Sequence, residues 1–312
     1  VYRAFIAMKI RANGIDIEVE DSAGGQASDK PVVLLIMGLG MQLVAWPAAL
    51  VQALEHAGFR VIRHDNRDIG LSAKFGHLGK PNIILTTLKM KLGLPVRPPY
   101  TLHDMALDAV GVLDALGVKK AHVVGVSMGG MIAQRVAVAA PERVLSLTSI
   151  MSSSGAKGLP EAKPKVIGAL MKRPANKSDE AILAHYLKLF DVIGSPGYPI
   201  DVAQTRERIL LGFKRSYNPE GVLRQMVAIG ADMGKRAKEL GKITAPTLVL
   251  HGKADPLVPY PCGEDTARRI PGAKMVGIDG MGHDLPPGVL PLLLTQMLPH
   301  FAGAAKSVGK AA

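Results

Sequence analysis

Cysteine is nearly absent from this chain: Cys262 is the single one among 312 residues. No internal disulfide can form, so the fold does not depend on oxidation. Aromatic residues make up only 4%, too few for a surface that stacks single-stranded nucleic acid. Long apolar runs are also missing. The longest near the end, Val289 to Leu298, is too short to span a membrane and is interrupted by Pro291. The opening VYRAFIAMKI lacks the apolar stretch and cleavage site of a signal peptide. No block of like charge exceeds a few residues, although the formal net charge is +12. Residues 151–240 carry 15 Lys+Arg against 9 Asp+Glu, so the excess leans toward the middle of the chain. A solvated basic surface is its simplest explanation. These absences exclude a disulfide scaffold, a nucleic-acid partner and stable membrane insertion. The expectation is a cytoplasmic protein, with its oligomeric state left open.

What is present is core material: 48% of residues are hydrophobic and 21% charged. The chain opens with a hairpin signal, in which Asn13-Gly14 precedes Ile15, Ile17 and Val19 alternating with Asp16, Glu18 and Glu20. Asn-Gly tolerates the two positive-φ positions of a tight turn, and the alternation suits a half-solvated strand. Short, continuous apolar runs follow at Val32–Met37, Arg60–His64, His122–Val126, Val144–Ile150, Thr247–His251 and Lys274–Ile278. Such runs fit strands covered on both faces. Helical stretches between them imply right-handed crossovers and a mostly parallel sheet, with the chemistry at the strands' carboxyl ends.

Between Ile150 and about Gly241 the strand signal stops. Amphipathic stretches such as Glu180–Phe190 and Asp201–Phe213 predict a helical cap over residues 151–240. The sheet domain is then built from 1–150 and 241–302. Pro81–Leu94 reads as a second, shorter covering element, and the tail 303–312 is expected to be disordered.

The strongest motif is Gly125-Val126-Ser127-Met128-Gly129, between a strand and a helical stretch. G-x-S-x-G at a strand-to-helix turn lifts a serine hydroxyl clear of the sheet on a strained backbone. The glycines remove side chains that would collide there. The N–H of Met128, at the helix N-terminus, then serves as an oxyanion donor. A serine nucleophile at neutral pH needs a base to take its proton. His283, in Gly280-Met281-Gly282-His283-Asp284, follows the last strand run and lies beyond the other candidates in the order Ser, Asp, His. His64, His122 and His251 fall within strand ends and His185 within the insertion. The acid is assigned to Asp255, in the Gly- and Pro-rich turn after the penultimate run. Asp284 adjoins the histidine and would point away, and the loop Met151–Gly155 holds no carboxylate.

With these residues in place the chain resembles the α/β-hydrolase superfamily, and within it the bacterial branch of aclacinomycin methylesterase-like enzymes. The likeness runs through LLIMGLGMQLVAWPAAL, RVIRHDNRDIGLS, AHVVGVSMGGMIAQ, APTLVLHGKADPLVP and GIDGMGHDLP. These motifs cover the catalytic core and not the insertion. The resemblance implies an α/β-hydrolase fold and a serine carboxylesterase with neither metal nor organic cofactor; it does not fix the substrate, and the apolar composition of the insertion suggests a small to medium hydrophobic ester. The resemblance also implies that Met37-Gly38-Leu39-Gly40 forms the second half of an oxyanion hole, with the Leu39 N–H as donor. Met37 stands where many relatives have histidine, so any bracing by that side chain is lost. The charged turn Asp65-Asn66-Arg67-Asp68-Ile69-Gly70 is expected to be structural, with Arg67 paired to Asp68. Trp46 is expected to anchor packing.

Overall fold

In the computed structural model the described residues are 6–92 and 94–309. The chain runs β1 (Ile6–Ala12), β2 (Ile15–Asp21), β3 (Val32–Ile36), α1 (Ala48–His56), β4 (Arg60–His64), α2 (Ile83–Lys91), α3 (Leu102–Ala115), β5 (Ala121–Val126), α4 (Met128–Ala139) and β6 (Val144–Ile150). It continues through α5 (Pro164–Met171), α6 (Asp179–Ile193), α7 (Val202–Arg215), α8 (Pro219–Asp232), β7 (Thr247–Gly252), α9 (Tyr260–Arg269), β8 (Lys274–Ile278) and α10 (Leu290–Gly309). One sheet has the order β1-β2-β4-β3-β5-β6-β7-β8. β1, β2 and β4 pair antiparallel, and the strands from β4 through β8 pair parallel. The β1–β2 turn places Asn13 at φ 46° and Gly14 at φ 74°, the positive-φ pair that this dipeptide tolerates.

The central strands are apolar on both faces because helices cover both. On β3, Leu34 and Ile36 face one core with α3 and α4, whereas Val33 and Leu35 face the other with α1 and α10. Trp46 is buried in the second core, an anchor as expected. Between β6 and β7 the chain forms four helices, α5–α8, with no strand.

Three expectations need correction. The tail is not disordered through 303–309, because α10 continues to Gly309. Phe301 and Ala304 are buried and anchor the helix from which this stretch continues. Residues 310–312 lie outside the described ones. The Pro81–Leu94 element does form α2, capped by Asn82, but none of its described residues lines the cavity above the strand ends. It rests on α8, with Met90 against Gly230, and turns Ile84, Leu85, Leu88 and Leu92 to solvent.

The charged turn after β4 is structural, but its pairing differs. Arg67 grips Asp108 of α3 through two bonds of 2.6 Å, and Asp68 holds Arg224 of α8 at 2.8 and 2.9 Å. Asp68 sits at φ 71°, which swings its carboxylate away from its neighbour and toward the helix. Asp65 accepts from Leu43 and Leu71 N–H at 2.8 Å and is also paired with Arg215 of α7. The glycine at 70 is required, since a Cβ there would lie 1.9 Å from Asp65 Oδ2. Thus Arg67 ties the turn to α3, while Asp65 and Asp68 tie it to the helices above the sheet. No described helix is long and apolar enough to cross a membrane.

Candidate active site

Ser127 occupies the step between β5 and α4 with φ 54° and ψ −122°, a conformation that residues other than glycine rarely adopt. The flanking glycines allow the backbones to touch. A Cβ at Gly125 would stand 2.1 Å from Gly129 O, and one at Gly129 would stand 2.0 Å from Ile36 O. The Ser127 amide donates to Ile150 O at 2.9 Å, and Ser152 Oγ donates to Ser127 O at 2.7 Å. Together these contacts hold the strained residue in place.

The three residues drawn from distant loops meet at this step. His283 Nε2 lies 3.0 Å from Ser127 Oγ, and His283 Nδ1 lies 2.7 Å from Asp255 Oδ2. With Asp255 ionised, Nδ1 carries the proton and donates it, which leaves Nε2 bare to accept from the serine hydroxyl. The other oxygen of Asp255, Oδ1, accepts from the amides of Leu257 and Val258 at 2.9 and 2.8 Å. His251 donates Nε2–H to Val258 O at 2.8 Å, and burial holds its pKa below the ordinary histidine value. It is therefore a neutral neighbour, 3.6 Å from Asp255, and not a rival base. Asp279, at the exit of β8, is solvent-exposed and pairs with Lys253 at 2.9 Å.

Gly38 packs against the serine: a Cβ on it would lie 3.2 Å from Ser127 Cβ. The next residue, Leu39, and the first residue of α4, Met128, both line the cavity over Ser127. Neither amide is taken by another group of the described chain, as expected for Met128 at a helix start.

The sequence did not disclose how the histidine loop is held. The last residue of α6 and the segment after it clasp the loop. His283 N donates to Ile193 O at 2.7 Å, Gly197 N to Gly280 O at 2.9 Å, and Gly282 N to Ser195 Oγ at 2.9 Å. The Ser195 hydroxyl in turn donates to Asp284 Oδ1. Asp284 does point away from the imidazole ring, as expected, but toward a partner. Its Oδ2 is buried with no hydrogen bond, and burial raises its pKa above the usual carboxylate value. The only hint in the sequence was a Gly-Ser-Pro-Gly turn closing an apolar helical stretch.

The cavity over Ser127 measures about 610 Å³, within the range of small-molecule sites. Its floor is the carboxyl end of the sheet and its roof is α6, α7 and α8, with Leu170 and Met171 of α5. The walls are mainly apolar, with Phe190, Ile193, Ile209, Phe213 and Met226 among them.

A parallel sheet of this order, with a serine at the β5–α4 step, defines a class. Residues 31–189 match the family model described as alpha/beta hydrolase fold, and residues 231–288 match that of the TAP-like protein family. The chain belongs to the α/β-hydrolase family and is a hydrolase. Within the family, it is 32% identical over 301 residues to rhodomycin D methylesterase DauP of a Streptomyces species, spanning 90% of this chain and 93% of that one. Rhodomycin D methylesterase DnrP of Streptomyces peucetius is 31% identical over the same shares. The crystal structure of the enol-lactonase from Burkholderia xenovorans superposes with a TM-score of 0.67 at 21% identity, over 95% of this chain and all of that one. That last likeness is one of fold.

Proposed function

We propose that the chain is a serine carboxylesterase in which Ser127 is the nucleophile, His283 the base and Asp255 the orienting acid. The reading rests on one observation: a strained serine, an imidazole and a buried carboxylate are in hydrogen-bonded series, at 3.0 and 2.7 Å, on the floor of an apolar cavity. As Ser127 Oγ attacks the ester carbonyl, its proton passes to His283 Nε2. Asp255 stabilises the imidazolium through Nδ1–H. The carbonyl oxygen becomes an oxyanion that accepts from the unoccupied amides of Leu39 and Met128, each worth about 3–4 kcal/mol of barrier. Collapse of the adduct expels the alcohol, which takes the proton from His283. Water then repeats the sequence on the acyl-enzyme and releases the acid.

The apolar walls favour a small to medium hydrophobic ester, and the methylesterase relatives make methyl esters the first substrates to try. Short p-nitrophenyl and methyl esters should be turned over, and a fluorophosphonate should label Ser127. Ser127→Ala should lower kcat by about 10⁵-fold or more while the thermal midpoint holds. Tight ligand binding with negligible turnover of every ester would make the protein a receptor on a hydrolase fold. Retained activity in Ser127→Ala would remove the nucleophile assignment.

A further inference from the structure

Arg208 is the exception among the arginines. Every other described arginine shielded from solvent holds a carboxylate, from Arg60 on Asp21 to Arg269 on Asp265. Arg208 sits on α7, half-buried, and lines the cavity that contains Ser127. Its side chain makes no hydrogen bond or ion pair with any described residue. The charge that attracts it is Asp284, which makes no ion pair with it and already accepts from Ser195. Burial pulls the Arg208 guanidinium below its ordinary pKa, the mark of a charge stripped of water without full compensation. It stays protonated nonetheless.

A desolvated guanidinium among apolar walls is unfavourable in the empty protein, and the attraction of Asp284 relieves it only in part. Arg215, two turns along the same helix, shows what a purely structural arginine does here: it reaches Asp65 of the core and Gln42 beside it. We propose that Arg208 is an anion-binding point inside the ester site, and that the preferred ester carries a carboxylate remote from its scissile carbonyl. The planar fork matches a carboxylate with two parallel N–H···O bonds, while the surrounding aliphatic and aromatic walls take the carbon chain between the two ends. The inference rests on the esterase reading and deepens it: the cavity selects a substrate apolar along its length and charged at its far end.

The test compares monomethyl esters of linear dicarboxylic acids with the dimethyl esters of the same length, from four to ten carbons. Acetyl esters of ω-hydroxy acids, against their methyl-capped forms, place the charge on the alcohol side. Wild-type protein should prefer the charged ester of one series by about 10- to 100-fold in kcat/KM, chiefly through KM, at an optimum chain length. Arg208→Met should bring that ratio close to one, and Arg208→Lys should keep part of it. Calorimetry of the half-ester on Ser127→Ala protein, with and without Arg208→Met, reads the same contact without turnover. A wild-type ratio near one in both series overturns the proposal, as does a preference that survives Arg208→Met. If no ester is cleaved but the half-ester still binds through Arg208, the esterase reading fails and the anion site stands.

Discussion

Two arginines seven residues apart on one face of α7, of which only Arg208 lines the cavity, have opposite surroundings. Arg215 reaches into the turn after β4, where it pairs with Asp65, beside the equally satisfied pairs Arg67–Asp108 and Arg224–Asp68. Arg208 has the same helix and the same face, yet no carboxylate. A charge that ties the cap helices to the sheet is paired with a carboxylate by the fold itself, even though Arg215 Nη2, 3.7 Å from Glu18, makes no hydrogen bond. One that faces the reaction chamber is left for an incoming group. The loops below repeat the contrast: Asp255 is held by two amides and an imidazole, whereas Asp284 Oδ2 and the amides of Leu39 and Met128 are open.

After loss of the serine itself, the largest effect should come from the saturated carboxylate at the site. Asp255→Asn can no longer enforce the Nδ1–H tautomer of His283, so kcat on p-nitrophenyl acetate should fall by about 10⁴-fold with the fold intact. A loss below tenfold would move the acid elsewhere.

Next come the arginines themselves. Arg224→Met strands Asp68 as a buried, unpaired charge and should cost about 3–5 kcal/mol in urea unfolding. Arg208→Met breaks no hydrogen bond or ion pair, removing only the longer-range attraction to Asp284, and should change stability by no more than about 0.5 kcal/mol. Equal costs for the two would break the comparison drawn above.

His64 sharpens it from another direction. The ring lies fully buried in β4 with both nitrogens unpartnered, and burial lowers its pKa to about 4. Below about pH 6.5 the unfolded chain takes up this proton, while the folded one refuses it until about pH 4. Stability should therefore fall with pH across that window, by about 2 kcal/mol between pH 7 and 5. His64→Leu should flatten that part of the denaturant midpoint against pH. An unchanged slope would assign the acid sensitivity to other groups.

The smallest effect is expected at Ser195, which links the cap to the histidine loop. Ser195→Ala should lower kcat about tenfold with KM little changed, because the loop loses its support while the cavity walls stay. A rise in KM alone would make Ser195 a substrate contact instead.

Much of the sheet and the three aligned residues were legible beforehand, for a local reason. A buried strand needs only five or six consecutive apolar residues, and a hairpin turn needs only Asn13-Gly14 at its tip. The step at Ser127 needs glycines two residues to either side, which is a pattern contained within five residues. His283 and Asp255 could be placed because each follows its own strand run. The opposite holds for Arg67 and Asp68. Adjacent in sequence, they looked like a pair, but their partners lie 41 and 156 residues away.

By itself, then, the sequence determined the strands, the turns and the order of Ser127, Asp255 and His283 along the chain, since short-range periodicity and backbone constraint are written within a few neighbouring residues. Only the tertiary structure decided which charges meet, that α2 turns its aliphatic residues outward, that a segment after α6 clasps the histidine loop, and that Arg208 is left alone. The reason is physical: electrostatic partners are chosen by where helices land against the sheet, and that depends on the packing of the whole chain.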